Sequence, residues 1–203
     1  MAQYQPQGFS LLPPAVKHLL IINTLAYVVY YLLARQGIVD LNYRLGLWSI
    51  GSGMFRPWQP LTYMFMHGSF THLFFNMFSL WMFGAVLERC WGTRRFVVYY
   101  LVCGIGAGLL NMLMPGLHVS VGASGAVYAL LLAFGMMFPN EYIYLYFLVP
   151  IKTKWFIIGM VAIELLLGLF NSTDGIAHFA HLGGMLIGLL LILYWRKHPF
   201  SRI

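Results

Sequence analysis

The sequence predicts an all-α polytopic membrane protein, a bundle of six transmembrane helices. Three observations carry this reading. Of 203 residues, 61% are hydrophobic and only 8% are charged, against about 25% charged in an ordinary soluble domain. The apolar residues fall into six separate runs, each near the roughly 20 residues that cross a bilayer as a helix. Period-two alternation is weak, so helices satisfy the buried backbone better than a barrel would. So little charge excludes an ordinary soluble enzyme and a disordered chain. Nucleic acid is excluded as a partner too. The formal charge is +7, but the basic residues stand between apolar runs and form no single patch. Aromatics at 17% and 21 glycines suit a bilayer, where aromatics gather at interfaces and small residues at helix contacts.

The elements follow in chain order. Residues 1–14 carry no charge but hold Pro6, Pro13 and Pro14. They read as a flexible tail lacking the basic head of a secretory signal. Residues 15–197 make the membrane domain, and 198–203 a short cytoplasmic tail. The first run lies between Lys17 and Arg35 and is short enough that its flanking cations snorkel. The second covers 70–87 and ends at Glu88-Arg89, where Glu88 is expected to tie the helix end to the adjoining loop. The third covers 96–114 and breaks at Pro115-Gly116. The fourth starts near Gly122 and stops before Pro139-Asn140. The fifth covers 155–170, and the sixth covers 178–195 and ends at Arg196-Lys197. Cys90 and Cys103 are too few for a disulfide framework, and Cys103 reads as a packing residue.

Positive charge sets the orientation. With six crossings, one side holds Lys17, Arg89, Arg94, Arg95, Lys152, Lys154, Arg196, Lys197 and Arg202; the other holds Arg35, Arg44 and Arg56. The richer side marks the cytoplasm, so the chain is N-in and C-in. The second, fourth and sixth helices then begin at the outer face. The first outer loop, 36–66, is long and interfacial, with Trp48, Phe55, Trp58, Tyr63 and Phe65. It is expected in the outer leaflet or packed back on the bundle, and long structured loops tend to be functional. Residues 141–150 read as an aromatic interfacial anchor on the inner side.

Polar side chains within the spans point to function, since polarity is expensive there. They are His72 and Asn76, preceded by His67; Ser124 and Tyr128; Glu164; and His178 and His181. His72, Ser124 and His181 sit at the outer starts of three different helices, so they share one depth. His72 and Asn76 stand four apart on one face, as do Ser124 and Tyr128. Gly125 and Ala129 form a small face on the fourth helix; His181, Gly184 and Gly188 line one face of the sixth. Small faces let helices approach closely, and if these two meet, Ser124 comes within reach of His181.

A serine beside a histidine is a nucleophile with its base. The start of the fourth helix offers unpaired N–H groups to an oxyanion, and His72 and Asn76 can add side-chain donors. No aspartate is suitably placed within the spans, and Asp174 reads as solvated near a loop. The expectation is therefore a Ser–His dyad with the imidazole held by packing and Tyr128 stacked on it. His178 is expected at the water boundary in a supporting role, although His178 and His181, three apart, would also suit a metal pair. His67 reads as a loop anchor. The dyad leaves Glu164 unexplained; it reads as a hydrogen-bond partner to a neighbouring helix, with a proton relay as the alternative. No H-E-x-x-H is present, and neither metal nor cofactor is called for.

The motifs H-G-S-F-T-H-L-F-F-N (His67 to Asn76), G-A-S-G-A-V-Y (Gly122 to Tyr128) and A-H-L-G-G-M-L-I-G (Ala180 to Gly188), with E-R-C-W-G after the second helix, resemble the rhomboid intramembrane serine proteases of the compact six-helix bacterial type. The resemblance covers roughly residues 48–195. It implies that Ser124 is the nucleophile and His181 the base, with His72, Asn76 and the Ser124 amide as oxyanion hole. It implies transmembrane protein substrates, cut near their outer ends and usually after a small residue. It implies no cofactor, and a bacterial cytoplasmic membrane with the site facing outward; it specifies no oligomeric state. The chain departs from the family where Trp-Arg is often found in the first loop and Trp58-Gln59 stands here. The alternatives are an inactive rhomboid-like binder of membrane proteins and a small transporter. A transporter would spread its polar groups through the bilayer depth, whereas here they cluster near one face.

Overall fold

The computed structural model describes residues 11–113, 119–145, 148–170 and 177–197. The Pro115-Gly116 break, Asp174 and most of the two terminal tails lie outside the described residues. Six long helices dominate: α1 (Pro14–Arg35), α2 (Phe70–Trp91), α3 (Thr93–Met112), α4 (Ser124–Met137), α5 (Thr153–Phe170) and α6 (His178–Lys197). Their bounds fall within a few residues of those the apolar runs suggest.

Five of these helices are long and apolar enough to cross a membrane. The expected fourth crossing is different: α4 has 14 residues. At 1.5 Å per residue it spans about 21 Å, short of a hydrocarbon core about 30 Å thick. The reason is its place. It packs against α2, α3, α5 and α6, and a helix wrapped by protein can end in protein-lined space. It buries residues all round its circumference, among them Ala126, Ala129, Leu130 and Ala133, as a central helix must.

Close approach is built from small residues. A Cβ on Gly184 of α6 would collide with the Gly125 carbonyl of α4, and one on Gly188 would meet Ala129 at 3.2 Å. The two small faces therefore do meet. On α3, Gly104 and Gly108 receive the first loop: a Cβ at Gly104 would strike the Met64 side chain, besides meeting Ala126 of α4 at 3.3 Å, and one at Gly108 would meet Leu47 and Tyr63 at 2.8 Å. Midway along α2, a π-helical turn at Leu80–Gly84 brings Gly84 against Val16 of α1 and Phe96 of α3.

The first loop packs back on the bundle, one of its two expected positions. Leu47, Tyr63, Met64 and Met66 are buried. Gln59 organises it, accepting from Arg56 N at 3.1 Å and Trp48 N at 3.4 Å, and donating to Met54 O at 3.2 Å and Arg44 O at 3.4 Å. Two small antiparallel ladders were not foreseen. Strand β1 (Leu47–Trp48) pairs with β2 (Val119–Ser120), strapping this loop to the segment before α4. Strands β3 (Tyr142–Leu145) and β4 (Val149–Lys152) form a hairpin where an interfacial anchor was expected. At the opposite end of the bundle, Trp91 and Trp195 lie 6.1 Å apart, and Arg95 sits 4.3 Å from the Trp195 ring centre.

Candidate active site

The turn before α4 positions the serine. Gly122 has φ +125°, a region that favours glycine. Its N–H donates to Tyr63 O at 2.9 Å, and the Tyr63 hydroxyl donates to Gly104 O at 2.6 Å. One loop tyrosine thus fixes the turn to α3. A Cβ on Gly122 would come within 2.6 Å of the His72 ring, so glycine is required there for a second reason. His72 lies against the backbone two residues before Ser124.

Ser124 is the first residue of α4 and is partly exposed. His181, one turn into α6, is 8% exposed. Its Nε2 lies 2.9 Å from Ser124 Oγ. The Tyr128 ring stacks on the imidazole at 4.1 Å between centres and 7° between planes. The structure thus brings together Ser124, His181 and Tyr128, for which the sequence predicts a dyad with the imidazole held by packing.

Two features correct that expectation. The imidazole is not held by packing alone. Glu164 of α5 reaches it, with Oε1 3.1 Å from His181 Nδ1. The pair is close but off line for a hydrogen bond, so it is an electrostatic contact. The same Oε1 accepts from the Tyr128 hydroxyl at 2.5 Å, and Oε2 lies 2.7 Å from His178 Nδ1. Nor is His178 at a water boundary, being 4% exposed and paired with this carboxylate. The signal for Glu164 was present in the sequence as an intramembrane carboxylate. Which face of α5 turns toward α6 was not readable from the α5 run, because Glu164 interrupts an apolar surface that continues on every side. Glu164, His178 and His181 offer ligand atoms within 4.8 Å of one another, close enough to hold a cation. Both carboxylate oxygens are already matched to side-chain partners.

The second helix brings the remaining residues. Ser69 caps α2 by accepting from His72 N at 3.1 Å. Asn76 is buried, and its Nδ2 donates to His72 O at 2.9 Å. An amide nitrogen carries two hydrogens, so one is spent on the helix and one is left. His67 is fully buried with its ring edge-on to His72 at 5.1 Å. Burial, then the neighbouring His72, pushes its pKa down to about 3. Its carbonyl accepts from Asn42 of the loop at 3.3 Å.

Comparison with known proteins gives a consistent likeness. The family model described as the rhomboid domain matches residues 55–198. The putative rhomboid protease YdcA of Bacillus subtilis is 31% identical over 188 residues, covering 91% of this chain and 90% of that protein. RHOMBOID-like protein 4 of Arabidopsis thaliana is 38% identical over 146 residues, 70% of this chain and 35% of that protein. Rhomboid-like protease 3 of Toxoplasma gondii is 29% identical over 143 residues, 70% of this chain and 53% of its own length. The chain thus spans a third to a half of the plant and parasite relatives and most of the bacterial one.

Proposed function

Since the chain belongs to the rhomboid family, we propose that it is an intramembrane serine protease in which Ser124 is the nucleophile and His181 its general base. The observation that carries this is the 2.9 Å contact from His181 Nε2 to Ser124 Oγ. Nε2 takes the hydroxyl proton as Oγ attacks the scissile carbonyl, then gives it to the leaving amine. The acyl-enzyme is released by a water activated in the same way. The Ser124 amide at the start of α4, the His72 ring and the second Asn76 amide hydrogen stabilise the oxyanion. Support for that assignment is His72 seated on Gly122 and Asn76 bonded to the His72 carbonyl.

The protein is integral to a membrane, by family and by its five long apolar helices. Its substrates are transmembrane proteins, cut at the start of α4, where Ser124 is partly exposed. The excess of Lys and Arg at the other end of the bundle supports a site facing outward, across a bacterial cytoplasmic membrane.

Labelling of the purified protein with a fluorophosphonate tests the reading. Wild type should label and cleave a transmembrane substrate; Ser124→Ala and His181→Ala should do neither while remaining folded. Full turnover by either variant refutes the assignment, and an unlabelled, inert wild type points to an inactive homologue. His72→Ala should lower kcat by about 10²-fold, the scale of one oxyanion donor.

A further inference from the structure

His181 can accept the Ser124 proton only if Nε2 is free of hydrogen, so Nδ1 must carry the ring's other proton. That N–H is buried, and a buried donor needs an acceptor. The atom beside it is Glu164 Oε1, at 3.1 Å. Catalytic hydrogen bonds are often out of line before substrate binds and tighten afterwards. A modest turn of the imidazole would align this one.

The carboxylate is itself fixed. His178 Nδ1 lies 2.7 Å from Oε2, and the Tyr128 hydroxyl donates to Oε1. Tyr128 also stacks on the His181 ring, so one side chain orients both the imidazole and the oxygen it faces. Tyr128 and Ser124 are one turn apart on α4, which puts nucleophile, ring and carboxylate on a common frame.

From this geometry we propose that Glu164 is the third member of the catalytic group, a positioning residue that holds His181 in the Nδ1–H tautomer and offsets its charge once protonated. The inference rests on the Ser124–His181 reading. The serine proton moves to Nε2, the Nδ1 proton stays on the ring, and the carboxylate remains ionised throughout. In a serine–histidine–carboxylate site of this kind the carboxylate orients and does not itself take the proton.

The test is Glu164→Gln in the full-length protein in lipid. The amide keeps the shape and can keep the α5 contacts, but it can turn an N–H toward Nδ1 and favour the wrong tautomer. We expect kcat to fall by about 10²- to 10⁴-fold, with KM changed less than about threefold. Glu164→Asp keeps the charge and should fall between wild type and Glu164→Gln. A second readout is a low-field imidazole N–H proton resonance in folded wild type, lost in His181→Ala. If Ser124→Ala is inert while Glu164→Gln keeps its kcat within about threefold, the Glu164 role is refuted and the dyad stands. If Ser124→Ala still cleaves, the underlying reading fails instead. Should Glu164→Gln not fold, the resonance decides: its absence from folded wild type overturns the proposal, and its presence with loss in His181→Ala upholds it.

Discussion

Glu88 and Glu164 are both buried, 2% and 5% exposed, and each ties a lipid-facing helix to the bundle. The helices concerned, α1 and α5, bury only three residues each, against nine on α3, so a single polar contact weighs heavily. The partners differ in kind. Glu88 reaches from α2 to the start of α1, where it accepts from Ala15 N and Val16 N at 2.9 Å each, and it accepts from Thr93 Oγ1 at 2.7 Å. Those amides are orphans of the first helical turn, at the end whose dipole favours an anion. Glu164 meets Tyr128, His178 and His181, side chains that include the proposed base. A carboxylate facing backbone amides can only hold a chain in place, while one facing an imidazole can also decide where a proton sits. The donor set, more than burial, separates a structural carboxylate from a chemical one.

The largest test of this contrast is Glu88→Gln. One end of the amide would point its own N–H groups at a backbone donor, losing a charge-assisted bond worth about 1.5–3 kcal/mol and leaving a buried amide unpaired. We expect a loss of about 2–3 kcal/mol in stability, read by unfolding in mixed micelles. The kcat of the folded fraction should stay within about twofold of wild type. Glu164→Gln should show the reverse pattern. A Glu88 variant that stays fully folded but loses turnover would erase the distinction.

The same contrast marks what could be read from sequence. The helices were legible because charged or breaking residues bound each apolar run. The Ser124–His181 contact was legible because Gly125, Ala129, Gly184 and Gly188 leave two helices with one way to approach closely. Glu88 was legible only as a helix-end residue; its partners at Ala15 and Val16 lie more than seventy positions away, and no local pattern names them. Glu164 stood out as an intramembrane acid, but its direction depends on how α5 is rotated. The β3–β4 hairpin was hidden because β3 is aromatic and apolar on successive residues, which masks the alternation that marks a strand, and because Pro150 within β4 argues against one. The short length of α4 was hidden too, since the apolar run around it extends past the helix itself.

His178 sharpens the Glu164 side of the comparison. It holds Oε2, the oxygen that His181 does not face. His178→Phe should therefore loosen the carboxylate without removing it, lowering kcat by about tenfold or less. That is a loss near 1.4 kcal/mol in transition-state binding. A fall deeper than that of His181→Ala would overturn the assignment of His181 as the base.

His67 supplies the case of a buried titratable group facing no carboxylate, and the smallest of these effects. Neither ring nitrogen meets a well-aligned hydrogen-bond partner among the described residues, and burial pushes its pKa down to about 3. In the unfolded chain a histidine titrates near 6.5. Between these values the unfolded state carries a proton that the folded state refuses, so stability rises with pH and is lost as pH falls. Above about 6.5 the penalty is absent; from pH 7 to 5.5 it should reach about 1.2 kcal/mol. His67→Phe keeps a ring in the space and removes the titration. Its unfolding free energy should show a shallower slope across that window, by a difference that approaches one proton only toward about pH 5.5, whatever its absolute stability. Equal slopes for the two proteins would mean that His67 finds an acceptor when charged, and that it belongs with the paired groups after all.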